Sequence, residues 1–131
     1  MYATALLRDP ATMYRQVDVA GRTATADGPA LVQLLYEELV AALRAAAWGA
    51  EQSRHAIRSE RVTRAIAILF ALEAGLDHDR GGDVSATLAR LYAGARRQVV
   101  EASIDSDPRP FREVADTLED IGRAWRTARS S

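Results

Sequence analysis

The chain has 131 residues, of which 48% are apolar, and a formal net charge of −1. This length suits one domain with one core, and the near-neutral charge gives no reason to expect nucleic acid as a partner. Cysteine is absent, which excludes thiol catalysis, disulfides and thiolate metal sites. The N-terminal stretch has no signal-peptide pattern, and no apolar run approaches the roughly 20 residues of a membrane span. We therefore expect a cytosolic protein that does not insert into membranes.

Residues 1–26 differ in composition from the rest and are predicted to form an N-terminal arm. Asp9 and Pro10 are typical of a helix start, because a carboxylate cap precedes a proline that forfeits no hydrogen bond. Gly21 is a natural stop. We expect a short helix between these signals, over about residues 10–20.

The apolar side of this short helix carries Met13, Tyr14 and Val17. A helix of this length does not persist alone in water, so it needs a surface to dock on. Tyr14 and Val17 are therefore candidate contact residues.

Two longer helices are predicted next, at the start of a bundle domain over residues 27–128. The first begins after Asp27-Gly28-Pro29 and runs to about Glu51. Ser53 is the expected cap of the second, which runs to about Asp77. Both carry apolar stripes at three-four spacing, namely Leu31, Leu35, Leu39 and Ala42 in the first and Val62, Ala65, Leu69, Leu72 and Leu76 in the second.

A turn is expected from His78 to Gly82, with Asp83 as the cap of a third helix that ends near Ser103. The segment from Asp105 to Pro108 turns the chain into a fourth helix. The stripes of these helices are Val84, Leu88, Leu91, Ala95, Val99 and Ala102, and then Phe111, Val114, Leu118, Ile121 and Trp125. Four helices joined by short turns predict an all-α, antiparallel up-down-up-down four-helix bundle with a short N-terminal helical arm.

No group of residues has a pattern suited to catalysis or metal binding. Di-iron bundles need Glu-x-x-His pairs that face inward, but Glu51 and His55 straddle a predicted turn and His78 lies in one. The adjacent acids Glu37 and Glu38 point about 100° apart on a helix and cannot share a site. We expect no enzyme activity, no metal and no cofactor.

The second helix is apolar over more of its circumference than one core face requires. Ile66 and Phe70 flank its stripe on one side and Ile68 on the other, which gives an apolar arc of about 200° where about 100° would suffice. Two interpretations remain open. Either this helix lies deep in the bundle, or part of the arc is an exposed groove for a partner segment.

Three motifs follow one another through the predicted helices. They are Leu31-Val32-x-Leu34-Leu35-Tyr36-Glu37, then Ile68-Leu69-x-x-Leu72-x-x-x-Leu76-Asp77, and finally Gly81-Gly82 with Leu88-x-x-Leu91-Tyr92. Together with Ala124-Trp125 near the C-terminus, this series resembles the FliS family of flagellar export chaperones for flagellin. The resemblance covers about residues 14–126.

The resemblance implies a four-helix bundle that binds the disordered C-terminal segment of flagellin in the cytosol. Such a chaperone prevents premature polymerisation and aids export through the flagellar type III apparatus, whose components are further possible partners. It also implies an arm that bears a tyrosine and lies against the bundle, for which Tyr14 is the candidate. The predicted partner-binding residues are Tyr14, Val17, Tyr36, Ile66, Ile68, Phe70 and Tyr92.

Three other functions compete with this one. A chaperone or adaptor for a different type III secretion substrate would use the same bundle. A metal-dependent bundle enzyme would need acidic and histidine side chains pointing inward, which the apolar stripes contradict. A filament subunit would need apolar ends, whereas this chain ends in Arg-Thr-Ala-Arg-Ser-Ser.

Overall fold

The computed structural model describes residues 28–130, which form four helices packed against one another. The helices are α1 (Gly28–Glu51), α2 (His55–Ala74), α3 (His78–Asp105) and α4 (Pro108–Ser130). α1 packs along α2 and α4, and α3 packs against the same two helices from the other side. The predicted all-α four-helix bundle is therefore confirmed. The predicted arm and its short helix lie outside the described residues.

The core consists largely of the predicted stripes. α1 is the most deeply placed helix, because its stripe is almost completely buried and the alanines beside that stripe are buried too. The largest fully buried side chains are Leu35, Tyr36, Leu39, Leu43, Ile68, Leu69, Tyr92, Val99, Phe111 and Leu118. One stripe residue was predicted wrongly. Val84 is 67% exposed, whereas the adjacent Ser85 is buried, so the inward face of α3 at this level passes through Ser85 instead.

The connection between α1 and α2 is tighter than the sequence indicated. A Cβ atom on Gly49 would lie 3.0 Å from the backbone nitrogen of Arg58, so only glycine lets the two chain segments approach this closely. The amide of Arg54 donates to the carbonyl of Gly49 at 2.8 Å. Arg54, and not Ser53, precedes α2 and caps it without a side-chain hydrogen bond. Ser53 instead has a φ of 54°, which the reversal requires.

The start of α3 also differs from its prediction. The carboxylate of Asp77 accepts a hydrogen bond from the backbone nitrogen of Arg80 at 3.1 Å, so a first helical turn begins at His78 rather than at Asp83. Gly82, with φ 50° and ψ −121°, then breaks the helix. The predicted turn is thus a single helical turn followed by a kink, and this backbone conformation is one that glycine adopts readily.

α4 begins as a carboxylate cap and a following proline predict. The Oδ1 atom of Asp107 accepts from the backbone nitrogen of Arg109 at 3.0 Å, and Pro108 occupies the first helical position. The Arg109 guanidinium donates to the same carboxylate, and these hydrogen bonds lower the pKa of Asp107. Just before this cap, Ser106 has a left-handed conformation that ends α3.

Leu72→Ala should destabilise the bundle by about 2–5 kcal/mol, because Leu72 is buried in the middle of the α2 stripe and its truncation leaves a cavity. Urea unfolding measures the change in the free energy of unfolding. The matched variant Leu76→Ala lies at the partly buried end of the stripe and should cost less. A loss under about 1 kcal/mol for Leu72→Ala would contradict this packing.

Two glycines should respond to alanine in opposite directions. Gly94 lies inside α3 with open space around its missing Cβ, so Gly94→Ala should stabilise the protein by about 1 kcal/mol through helix propensity. Gly49→Ala should destabilise it by at least about 1 kcal/mol, because the new Cβ presses on backbone atoms. Thermal unfolding of both variants tests this pair. Shifts of the same sign would refute the assigned environments.

Candidate functional site

An open groove runs between α2 and α3 and is the main candidate for partner binding. It encloses about 500 Å³. Residues from both helices line it, and we call it the α2/α3 groove, defined by Ile66, Phe70, Ala93, Arg96, Arg97, Val100 and Glu101. On α2 the groove is lined by Ile66 and Phe70, the two residues predicted to flank the apolar stripe of that helix on one side.

Phe70 is the central apolar feature of the α2/α3 groove. Its ring is 47% exposed, which is unusual for a phenylalanine on a folded helix. The Arg96 guanidinium carbon lies 4.1 Å from the ring centroid, within the range of a cation–π contact. Arg96 also forms an ion pair with Glu73, which holds the guanidinium over the ring. The ring is therefore fixed in place while one of its sides stays open to solvent.

The α3 side of the groove adds apolar area that the sequence analysis missed. Val100 is exposed, and Ile104, one helical turn further on, is 78% exposed. Residues four apart share a helix face, so these two side chains form a short apolar strip. Arg97 and Glu101 lie beside it and give the groove a charged rim. The pair Val100–Ile104 beside the stripe was the signal that could have revealed this strip.

Tyr36 and Tyr92 lie inside the bundle and join α1 to α3 across its centre. Their hydroxyl oxygens are 2.6 Å apart in a buried hydrogen bond, and their rings meet edge to face with centroids 6.4 Å apart. The ring of Tyr36 also packs on Trp125 of α4 at 4.8 Å. Burial, followed by the proximity of Tyr92, raises the pKa of Tyr36 far above its ordinary value.

The structure separates the predicted partner-binding residues into three groups. Ile66 and Phe70 lie together in the α2/α3 groove. Ile68, like the tyrosine pair just described, belongs to the core, and direct contact with a partner would require the bundle to open there. One flank of the wide arc on α2 is therefore buried in the core at Ile68, and the other is exposed at Phe70. Tyr14 and Val17 lie outside the described residues.

Within residues 28–130 no cluster of three or more histidine, cysteine or acidic side chains is arranged to hold a metal ion. None of the helices in this range combines the length and hydropathy needed to cross a membrane. Residues 28–130 thus form a four-helix bundle with an exposed, partly apolar groove between α2 and α3.

The sequence profile of the family described as flagellar protein FliS matches residues 10–131, and the chain belongs to this family. A flagellar secretion chaperone FliS from Salmonella typhimurium is 31% identical over 114 residues, which are 86% of this chain and 84% of the relative. The Vibrio cholerae FliS chaperone is 25% identical over 119 residues, or 91% of this chain and 88% of that one. FliSB of Pseudomonas aeruginosa is 28% identical over 125 residues, or 95% of this chain and 96% of that one.

These relatives confirm the resemblance predicted from the sequence. The family consists of flagellar secretion chaperones and not of enzymes, which agrees with the predicted absence of catalysis. The match spans nearly the whole of each relative, so the family assignment applies to the entire bundle.

The buried tyrosine pair predicts a pH dependence of stability. Because the pKa of Tyr36 is raised in the folded state, its hydroxyl is protonated in both states below the unfolded value of 10.0, and its contribution to stability is complete there. Above that value the unfolded chain loses the proton first, so stability falls as pH rises, with a slope approaching about 1.4 kcal/mol per pH unit. Tyr36→Phe should make this decline shallower.

Urea unfolding of the wild-type protein and of Tyr36→Phe between pH 8 and 11 measures the difference. At pH 8 the variant should lose about 1 kcal/mol, the contribution of one buried hydrogen bond. If the free energy of unfolding falls equally steeply for the two proteins above pH 10, the pKa of Tyr36 is not raised in the bundle.

Proposed function

We propose that this chaperone binds the disordered C-terminal segment of flagellin in the cytosol. Binding keeps the segment from polymerising early, and the complex then delivers flagellin to the flagellar type III export apparatus. The sequence resemblance to flagellin chaperones supports this proposal, as do the curated relatives described as flagellar secretion chaperones. The α2/α3 groove supplies a surface on which such a segment can dock.

The single observation that carries the proposal is the exposed ring of Phe70 in this groove. A disordered segment with scattered apolar residues cannot bury them alone, and ordering it on binding costs several kcal/mol. A fixed aromatic ring with open apolar neighbours offsets part of that cost, because the chaperone side is already ordered. An amphipathic client helix lying against Phe70 and Val100 would use the helix-in-groove mode of peptide recognition.

The dimensions of the groove indicate that a client uses more than one surface. Along α3 it extends from Ala93 to Glu101, which is about 12 Å at the helical rise per residue and corresponds to about two turns of a client helix. A second space of about 170 Å³ lies between α3 and α4, beside Leu91, Ala95 and Val114. A long segment that wraps around the bundle can bury several short apolar stretches in turn, without a nucleotide or a covalent step.

Phe70→Ala should weaken binding of a flagellin C-terminal peptide at least tenfold, because the client loses about 1.5–3 kcal/mol of apolar contact. Isothermal titration calorimetry on the full chain measures the affinity. Trp48→Ala is the matched control, since Trp48 is a similarly exposed aromatic on α1, 46% exposed, with Arg54 over its ring. It lies outside the α2/α3 groove, and its loss should change the affinity less than twofold.

If Phe70→Ala and Trp48→Ala change the affinity equally, the α2/α3 groove is not part of the binding surface. Circular dichroism and thermal unfolding of both variants establish that each remains folded, which is expected because both side chains are largely outside the core. A flagellin peptide that fails to bind the wild-type protein would contradict the proposal itself and would favour a different secretion substrate.

A further inference from the structure

A second groove, between α1 and α4, contains a buried polar side chain that forms no hydrogen bond within the described part of the chain. Two neighbouring cavities of about 230 and 260 Å³ make up this α1/α4 groove, and Gln33 lines both of them. The first is bounded by Val40 and Leu118, and the second by Val32 and Trp125. The walls are thus mainly apolar, with the amide of Gln33 between the two cavities.

Gln33 is only 8% exposed, yet neither its Oε1 nor its Nε2 atom has a hydrogen-bond partner among residues 28–130. Buried polar side chains are nearly always paired, because leaving water without a replacement partner is unfavourable. A leucine of similar size would fill this position on α1 without that penalty. The unpaired amide therefore lowers the stability of the free bundle. A partner that enters the adjoining cavities could supply the missing hydrogen bonds.

We propose that the α1/α4 groove is a second client-binding site and that Gln33 is its polar recognition point. The occupant is an amphipathic helical segment of the exported client that carries a primary amide side chain, asparagine or glutamine, between apolar residues. This inference rests on the proposed function, because it assigns the specificity of a chaperone surface toward its client.

The chemistry of the groove favours a primary amide. The Gln33 side chain offers both donors and an acceptor, and a second primary amide presents a donor and an acceptor on two adjacent atoms, whereas a hydroxyl has one oxygen for both roles. A helical client has already used its backbone groups in its own hydrogen bonds, which leaves a side chain to make the contact. An asparagine or glutamine side chain can exchange two hydrogen bonds with Gln33, whereas a purely apolar client would bury the amide still unpaired.

The rim of the groove carries charges of both signs, because Glu37, Glu119 and Arg126 line the first cavity. Glu37 lies at the edge of the first cavity, is exposed, and forms no ion pair in the described part of the chain. Glu119, on the opposite wall, is already paired with Arg44. A basic residue in the client, placed toward Glu37, would therefore meet an available carboxylate.

The proposal predicts that Gln33→Leu affects stability and binding in opposite directions. The variant should melt at a higher temperature than the wild-type protein, since a buried unpaired amide has been removed. It should also bind a flagellin C-terminal peptide at least fivefold more weakly. Gln52→Leu is the matched control, because Gln52 is exposed in the turn between α1 and α2, and neither property should change appreciably.

A double-mutant cycle identifies the client residue. Each asparagine or glutamine of the peptide is replaced in turn by leucine, and binding is measured by calorimetry to wild-type protein and to Gln33→Leu. One replacement should weaken binding to the wild-type protein at least fivefold and leave binding to Gln33→Leu nearly unchanged. Absence of coupling for every amide would overturn the proposal, as would a Gln33→Leu protein that is less stable than wild type.

A photo-crosslinking residue in place of Val32 in the full chain shows which segment occupies the α1/α4 groove when the flagellin peptide is at saturation. Crosslinks to the peptide support the proposal, whereas crosslinks that remain within the chain's own residues 1–27 overturn it. A peptide that binds wild type and Gln33→Leu equally well refutes the site but leaves the proposed function standing. A peptide that does not bind the wild-type protein refutes the proposed function.

Discussion

The burial of α1 against two neighbours determines where everything else in this bundle can lie. Leu35, Leu39 and Leu43 are almost fully enclosed, and the close approach at Gly49 fixes the start of α2 against the end of α1. α3 is attached differently. Its buried face consists largely of small side chains such as Ser85, Ala95 and Ala102, and its Tyr92 shares a buried hydrogen bond with Tyr36. A helix attached by small residues leaves open space along its flanks, and the α2/α3 groove is one such space.

Both grooves contain a side chain for which the described bundle supplies only part of the possible contacts. Phe70 is covered by Arg96 but stays half exposed, and the buried amide of Gln33 has no hydrogen-bond partner within residues 28–130. Phe70 and Gln33 lie on different helices and face different neighbours, yet each is compatible with a client that completes its surroundings. Departures from ideal packing are common at functional sites, because the missing contacts are supplied by the ligand.

Three-four spacing was sufficient to predict the four helices and most of the core, since each stripe must face inward wherever apolar residues recur on one side of a helix. Local details at helix ends were less predictable. Ser53 looks like a cap in the sequence, but the tight reversal beside Gly49 gives it a positive φ instead. Periodicity also could not show which flank of α2 faces water. Ile68 and Phe70 are both apolar in the sequence, and only the placement of the neighbouring helices buries the first and exposes the second. Gln33 lay outside any apolar pattern and was missed for that reason.

The packing of Trp125 against Tyr36, with the two rings tilted by 49°, gives the molecule a built-in optical reporter. Trp125 lies at the wall of the α1/α4 groove, against a ring whose hydroxyl takes part in the central hydrogen bond, whereas Trp48 faces solvent. The two indoles thus occupy environments of different polarity, and their fluorescence should emit at different wavelengths. Occupation of the groove or separation of α1 from α4 would alter the emission from Trp125 and leave that from Trp48 in place.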